Sequence, residues 1–293
     1  MKGGIWIIIL LLFIIWALIE RKLLSTTKTV IRSTKLPKKL EDTGFVVLAD
    51  LHDCTFGKKN LRLMKQIELL KPDFIVLAGD IINKKKPCYP SNAYLLIEAL
   101  AKKYKVYYAY GNHEQRLEWY GTKAKLTTEE KELYSAWVEF KRRLSSHSVQ
   151  ILNNQGLRFE KNGEQLQITG VTIGPEYFTR NREMDHRYLK SLIGKSEGRL
   201  YQILIAHNPD YFEEYADWGA DLIISGHLHG GMVRIPGVGG ILSPQAKFFP
   251  KYQSGTYSIK DKEMIVSRGL GSHSIMPRMF NIPELVYVQL KSK

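Results

Sequence analysis

Cysteine is almost missing from this chain: two residues, Cys54 and Cys88, among 293. A disulfide framework is thereby excluded, and the spacing of the pair fits no zinc motif. Cys54 stands two residues beyond His52, where it either fills a small gap or approaches a metal. Beyond the amino-terminal segment there is no linker, internal repeat or low-complexity tract, so one large α/β domain is a better expectation than two small ones. Acid is scarce as well, with 29 Asp and Glu against 43 Lys and Arg, a formal charge of +14. That balance selects for an anionic partner, whether membrane headgroups, phosphorylated substrates or nucleic acid.

Long apolar runs are limited to one. Residues 5–19 are uninterrupted by any polar group, and Gly3 and Gly4 extend the uncharged stretch to the short end of what spans a bilayer. Trp6 and Trp16 lie near its two ends, where indole rings favour the interface. Glu20, Arg21 and Lys22 follow at once and no small-residue cleavage site is present, which argues for an uncleaved anchor over a signal peptide. The expected organisation is a transmembrane anchor with its flank at 1–22, a basic linker at 23–43 and the main domain at 44–293. Arg21, Lys22, Lys28, Arg32, Lys35, Lys38 and Lys39 crowd the carboxyl-terminal flank, so the positive-inside rule predicts a single-pass cell-membrane protein with its body in the cytoplasm. Those residues either meet anionic lipid, at roughly 1 kcal/mol each, or form a solvated spacer.

Five short apolar runs carry the main signal. Residues 45–49 are followed by Asp50 and His52, 74–79 by Asp80, 106–111 by Asn112 and His113, 203–206 by His207, and 222–226 by His227 and His229. Apolar runs of this length, separated by helical stretches, read as strands of a sheet covered on both faces. Helices are predicted over 60–70, 91–103 with Ser91 as its cap, 127–144 capped by Thr127 or Thr128, 185–193 and 209–218. A hairpin is predicted over 157–171, turning on Asn162 and Gly163, and further strands at 256–259, 264–267 and 285–290.

Each fragment alone is ambiguous. Asp50 and His52 project to one face of an extended segment. Asp80 serves equally as a helix cap, Asn112 and His113 as a turn, and His207 as a hydrogen-bonded imidazole. The segment 225–231, Ser-Gly-His-Leu-His-Gly-Gly, is stronger, since its glycines let the backbone come close to whatever the imidazoles hold. Together the residues form a mixed oxygen and nitrogen set large enough for two divalent cations. With two carboxylates only, the loaded site stays cationic and attracts phosphate oxygen.

The series Asp50/His52, Gly79/Asp80, Gly111/Asn112/His113, His207 and Gly226/His227/Leu228/His229 resembles the signature of the calcineurin-like metallophosphoesterase superfamily. The resemblance runs from about residue 45 to the carboxyl terminus. Its later part, 230–236 with 266–271, is similar to the membrane-anchored bacterial branch. The resemblance implies a four-layer α/β/β/α sandwich and a two-metal phosphoester hydrolase. In that reading Asp50, His52, Asp80 and His229 hold one metal, and Asp80, Asn112, His207 and His227 hold the other. A hydroxide between the metals is the implied nucleophile and His113 the implied general acid. Manganese is favoured, with iron, zinc and cobalt open. Many members carry an aspartate where this chain has Asn83, a departure outside the ligand set.

The expected substrate is a phosphorylated small molecule or lipid, cut as a phosphodiester or pyrophosphate, with lipid-linked and nucleotide-linked substrates both open. A nuclease or nucleotide phosphodiesterase is the alternative, although nucleic acid is disfavoured as a partner by the anchor; a scaffold without chemistry ranks below both. Oligomeric state is not readable. Arg268 and Arg278 either bind a second phosphate or pair with carbonyls and carboxylates. The stretch 242–252, with Lys247, Phe248, Phe249, Lys251 and Tyr252, either rests against lipid or joins the core.

Overall fold

The structure, a computed structural model, describes residues 2–178, 182–231, 234–235, 239–241, 248–272 and 278–293. In chain order the strands are β1 (Ser25–Ser33), β2 (Gly44–Leu48), β3 (Phe74–Ala78), β4 (Lys105–Ala109), β5 (Val149–Ile151), β6 (Gln155–Lys161), β7 (Glu164–Val171), β8 (Tyr201–Ala206), β9 (Leu222–Ser225), β10 (Arg234–Ile235), β11 (Gly239–Gly240), β12 (Gly255–Ile259), β13 (Lys262–Val266) and β14 (Glu284–Ser292). The helices are α1 (Lys2–Glu20), α2 (Leu61–Leu70), α3 (Asn92–Ala101), α4 (Asn112–Tyr120), α5 (Thr128–Leu144), α6 (Tyr188–Ile193) and α7 (Phe212–Trp218).

Two six-stranded sheets result, ordered β1-β14-β2-β3-β4-β5 and β12-β13-β9-β8-β7-β6. β2 to β5 run parallel in the first, and β7, β8, β9 and β13 in the second. The strands β2, β3, β8 and β9 are buried along their whole length, as their apolar sequences require of strands covered on both faces. Between the sheets pack Phe45, Phe74 and Phe159, with Phe45 and Phe74 stacked at 4.8 Å, and Ile203, Ile224 and Val288. The outer face of the first sheet is covered by α2, α3, α4 and α5 through Leu63, Ile97, Leu117 and Trp137, and that of the second by α6 and α7 through Leu189, Phe212 and Tyr215. The expected α/β sandwich of helix, sheet, sheet and helix is therefore met. Caps act where the sequence places them: Ser91 Oγ accepts the Tyr94 N–H, and Thr127 forms a reciprocal box with Glu130.

Two expectations for the amino terminus are corrected. Residues 2–20 are helical, but among the described residues no helix is long and apolar enough to cross a membrane. Fifteen apolar residues at 1.5 Å each cover only about 22 Å of a hydrocarbon core of about 30 Å. The stretch 23–43 is no linker either, because Ser-Thr-Thr-Lys-Thr-Val-Ile-Arg-Ser forms edge strand β1, parallel to β14 over its whole length. Threonine, valine and isoleucine favour that extended state. Lys35, counted among the lipid-facing charges, is instead paired at 2.6 Å with the buried Asp221 just before β9.

Candidate metal centre

Parallel strands gather ligands at their carboxyl ends, and all eight expected residues lie within four positions of the end of β2, β3, β4, β8 or β9. The hydrogen-bond ladder continues past the strands: Asp50 N–H donates to Gly79 O and His52 N–H to Asp80 O, both at 3.0 Å. Gly226 N–H donates to His207 O at 3.1 Å in the second sheet. Leu270 N–H, beyond β13, bonds Ala49 O at 3.0 Å and so ties the two sheet edges together. A Cβ at Gly111 would strike the Asp80 carboxylate and one at Gly226 that of Asp50, which explains why glycine flanks the ligands. Asp50, His52, Asp80, His227 and His229 all have positive φ, between 48° and 71°. Non-glycine residues hold that conformation at about 1–3 kcal/mol each only where surrounding structure over-determines it.

The side chains converge. Asp50, His52 and His229 form one cluster able to hold a metal, and Asp80, His207 and His227 another, with His52, Asp80 and His113 overlapping both. His52 Nε2 and His229 Nε2 stand 3.2 Å apart. Asp80 Oδ2 lies 3.5 Å from His207 Nε2, 3.8 Å from His113 Nε2 and 3.9 Å from His52 Nε2. Asp50 Oδ1 is 3.5 Å from His229 Nε2 and 3.8 Å from His207 Nε2. Asp80 is thus central to the set, within reach of both groups.

Backbone carbonyls orient the imidazoles. His207 Nδ1 donates to Ala78 O at 2.7 Å, which leaves Nε2 unprotonated in the neutral ring and turned inward. His229 Nδ1 faces Gly271 O at 3.3 Å in the same manner. The buried Nε2 of His207 and Oδ1 of Asn112 make no hydrogen bond. Buried lone pairs left without a donor are costly, and a divalent cation satisfies both, so the residues fit such an ion.

The charges agree. Burial pushes the Asp50 carboxyl up to about 7, Asp80 adding to the shift and His207 opposing it. Burial also acts on Asp80 but is outweighed by His113, His207 and His52, which hold its carboxyl well below the ordinary range. His207, buried, is nonetheless raised to about 10 by Asp80 and Asp50. A cation at the site would displace the proton that these carboxylates hold on His207 and take over as their counter-charge.

A residue passed over in the sequence holds half of the site together. Glu114 is fully buried, and its carboxylate accepts the backbone N–H groups of Asp80, Ile81, Ile82 and Gly111 and the Tyr108 hydroxyl, at 2.7–3.2 Å. Burial first, then Asp80, pushes its carboxyl above the ordinary range. Its sequence signal is its place at the third position of α4, where a glutamate returns to the N-cap. The turn left open at Asn112 and His113 is the start of that helix.

On the other side the candidate phosphate ligands are already engaged. Arg278 is buried and donates to the carbonyls of Arg268, Gly269, Gly271 and Asn281. Arg268 pairs with Glu284 at 3.0 Å. Asn281 Nδ2 donates to His229 O at 2.7 Å and Gly231 O at 2.6 Å, while its own N–H and that of Phe280 bind the buried Glu20 carboxylate at the end of α1. Cys54 is half-buried and joins none of the clusters found among the described residues. Of the lipid-facing candidates, Phe248 and Phe249 are exposed, Tyr252 is buried against Phe212, and Lys247 lies outside the described residues, as do residues 232, 233 and 236 of the later motif.

Beside the ligands a cavity of about 830 Å³ opens, bordered by Asp80, Asn112, His113, His227 and His229. His113 Nδ1 accepts the Lys84 N–H at 3.3 Å, so the proton of the neutral ring resides on Nε2.

Comparison with known proteins agrees with this geometry. The family model described as calcineurin-like phosphoesterase matches residues 44–231. The uncharacterized metallophosphoesterase YkuE of Bacillus subtilis (strain 168) is 26% identical over 283 residues, 94% of this chain and 88% of that protein. Phosphodiesterase YaeI of Escherichia coli (strain K12) is 27% identical over 228 residues, 77% of this chain and 74% of that protein.

Proposed function

The chain belongs to the calcineurin-like phosphoesterase family and is a metal-dependent phosphoester hydrolase, and from that premise we propose that it cleaves diester or pyrophosphate bonds with two divalent cations. Asp50, His52, Asp80 and His229 would hold one ion, and Asp80, Asn112, His207 and His227 the other, with manganese favoured. Bound there, the cations supply an acidified water and a clamp on the phosphate oxygens. The orphaned Nε2 of His207 and Oδ1 of Asn112 carry this assignment, together with the convergence of His207 and His227 on Asp80.

The chain's own groups supply the rest. Asp80, at the centre, joins the two half-sites, and the strained backbone of its neighbours fixes where their lone pairs point. His113 borders the cavity with Nε2 3.8 Å from Asp80 Oδ2, and as the imidazolium it would deliver a proton to the leaving oxygen. With manganese present, the chain is expected to hydrolyse bis(p-nitrophenyl) phosphate. His113→Ala should slow a substrate with an alkoxide leaving group by about 10²–10⁴ and one that releases p-nitrophenolate, which needs no proton, much less. Equal losses on both would remove His113 as the acid, and a metal-loaded chain with no turnover would remove the hydrolase reading.

Attachment to the cytoplasmic face of the cell membrane, as in the membrane-anchored bacterial branch, is proposed on the exposed apolar side chains of α1, among them Trp6, Leu12 and Trp16. Sedimentation with anionic lipid vesicles tests it: the full chain should pellet and a chain lacking residues 1–19 should not. Release of both, or retention of both, would contradict the attachment.

A further inference from the structure

The cavity beside the metal ligands extends well past them, and its far wall is chemically distinct. Lys84 and Arg116 line it together with Trp119 and Phe178. Among the described residues neither cation has an ion-pair partner. Of the two carboxylates in the lining, Asp80 belongs to the metal-ligating set and Glu118 is committed to Lys141 at 2.5 Å and to the Tyr110 hydroxyl at 3.2 Å. The guanidinium of Arg116 lies 4.5 Å above the Trp119 ring and 5.3 Å from that of Tyr120. A guanidinium held over aromatic rings keeps its N–H donors for hydrogen bonding, and such a fork suits a phosphate. Lys84 is half-buried and sits next to the Asp80 end of the site, since its backbone N–H bonds His113. Burial lowers its ammonium below the ordinary range, with Asp80 opposing that shift and Arg116, which lines the same cavity, adding to it.

We propose that this wall binds a second phosphate, and that the substrate class is a pyrophosphate diester: one phosphorus on the metal side, the other against Lys84 and Arg116, and an organic group against Trp119 and Phe178. The inference rests on the hydrolase reading above. Water adds to the metal-side phosphorus, the P–O bond to the bridging oxygen breaks, and that oxygen leaves as part of a phosphate monoester whose new negative charge falls between the two cations. The products are two monoesters and protons released to solvent; no oxidant or further reactant is needed. The proposal also accounts for the roles that Arg268 and Arg278 do not fill, since both are spent on the loop behind His229.

The test reads binding, so it stands apart from turnover. Calorimetry compares the diphenyl ester of methylenediphosphonate, whose bridging CH₂ resists hydrolysis, with phenyl methylphosphonate, which carries one phosphorus, both on manganese-loaded protein. Wild type should bind the two-phosphorus ligand at least tenfold more tightly. In Lys84→Ala/Arg116→Ala protein of unchanged melting temperature and metal content, that preference should fall to nearly one. If the double variant does not fold, Arg116→Gln alone should still lose most of the preference. No preference in wild type, or a preference that survives the substitutions, overturns the second-phosphate site. Failure of wild type to hydrolyse bis(p-nitrophenyl) phosphate would instead strike the metal-centre reading, whatever the binding ratio.

Discussion

The two halves of the metal centre are supported in different ways. On the first sheet, the loops that carry Asp80 and Asn112 are gathered by a single carboxylate, Glu114, from a helix that begins at the site itself. On the second, the loop of His227 and His229 is held by Asn281 from the far carboxyl terminus, while Arg278 braces the Gly271 carbonyl that His229 faces, and Asn281 is held in turn by Glu20 from the far amino terminus. One support is local in sequence and made by a charged acceptor; the other is assembled from remote segments through carbonyls. The local support should be stiff, and the remote one should couple the metal ligands to whatever the amino-terminal helix touches.

Removing what both halves share should have the largest effect. Asp80→Ala is expected to lower hydrolysis by at least about 10³ and to abolish metal uptake in a chain that still folds by circular dichroism. Substantial turnover in that variant would contradict a shared ligand. Next comes Glu114→Ala, which strands four backbone donors in a buried site and should cost about 3–5 kcal/mol in urea unfolding. Asn281→Ala leaves two carbonyls unmet, for a smaller expected loss of about 1–3 kcal/mol with metal affinity down about 10–100-fold. An equal or larger stability loss for Asn281→Ala would reverse the ranking of the two supports.

Acidity gives a subtler contrast. Metal binding requires Asp50 ionised and His207 neutral, yet the metal-free chain raises them to about 7 and about 10. Loading therefore releases protons, and manganese affinity should fall as pH drops, more steeply below about 7. Calorimetric titrations between pH 6 and 8 check this, and a flat profile would contradict it. Glu20→Gln should have the smallest effect: Phe280 and Asn281 bond separate oxygens of the Glu20 carboxylate, so the amide oxygen keeps one of the two bonds and loses the other, and any change in metal affinity should be severalfold at most.

The clustering of the candidate ligands was legible in sequence because the physics that gathers them is local: a buried strand ends, a small residue allows a close approach, and an Asp, Asn or His follows. The sandwich was legible for the same reason, through the apolar runs of β2, β3, β8 and β9. What escaped depends on contacts distant in the chain. β1 looks like a basic spacer because its stabilisation comes from pairing with β14 at the other end of the chain. Arg268 and Arg278 look like phosphate ligands until the carboxylate and carbonyls that occupy them are in place. Lys84 and Arg116 escaped because only the start of α4 brings them onto one wall of the cavity.

The most direct measurement is the number of divalent ions bound per chain, by calorimetric titration of the full-length protein with manganese. Two ions, both lost on Asp80→Ala, is the result this account requires. A folded wild-type chain that binds none, or one whose two ions survive that substitution, would contradict it.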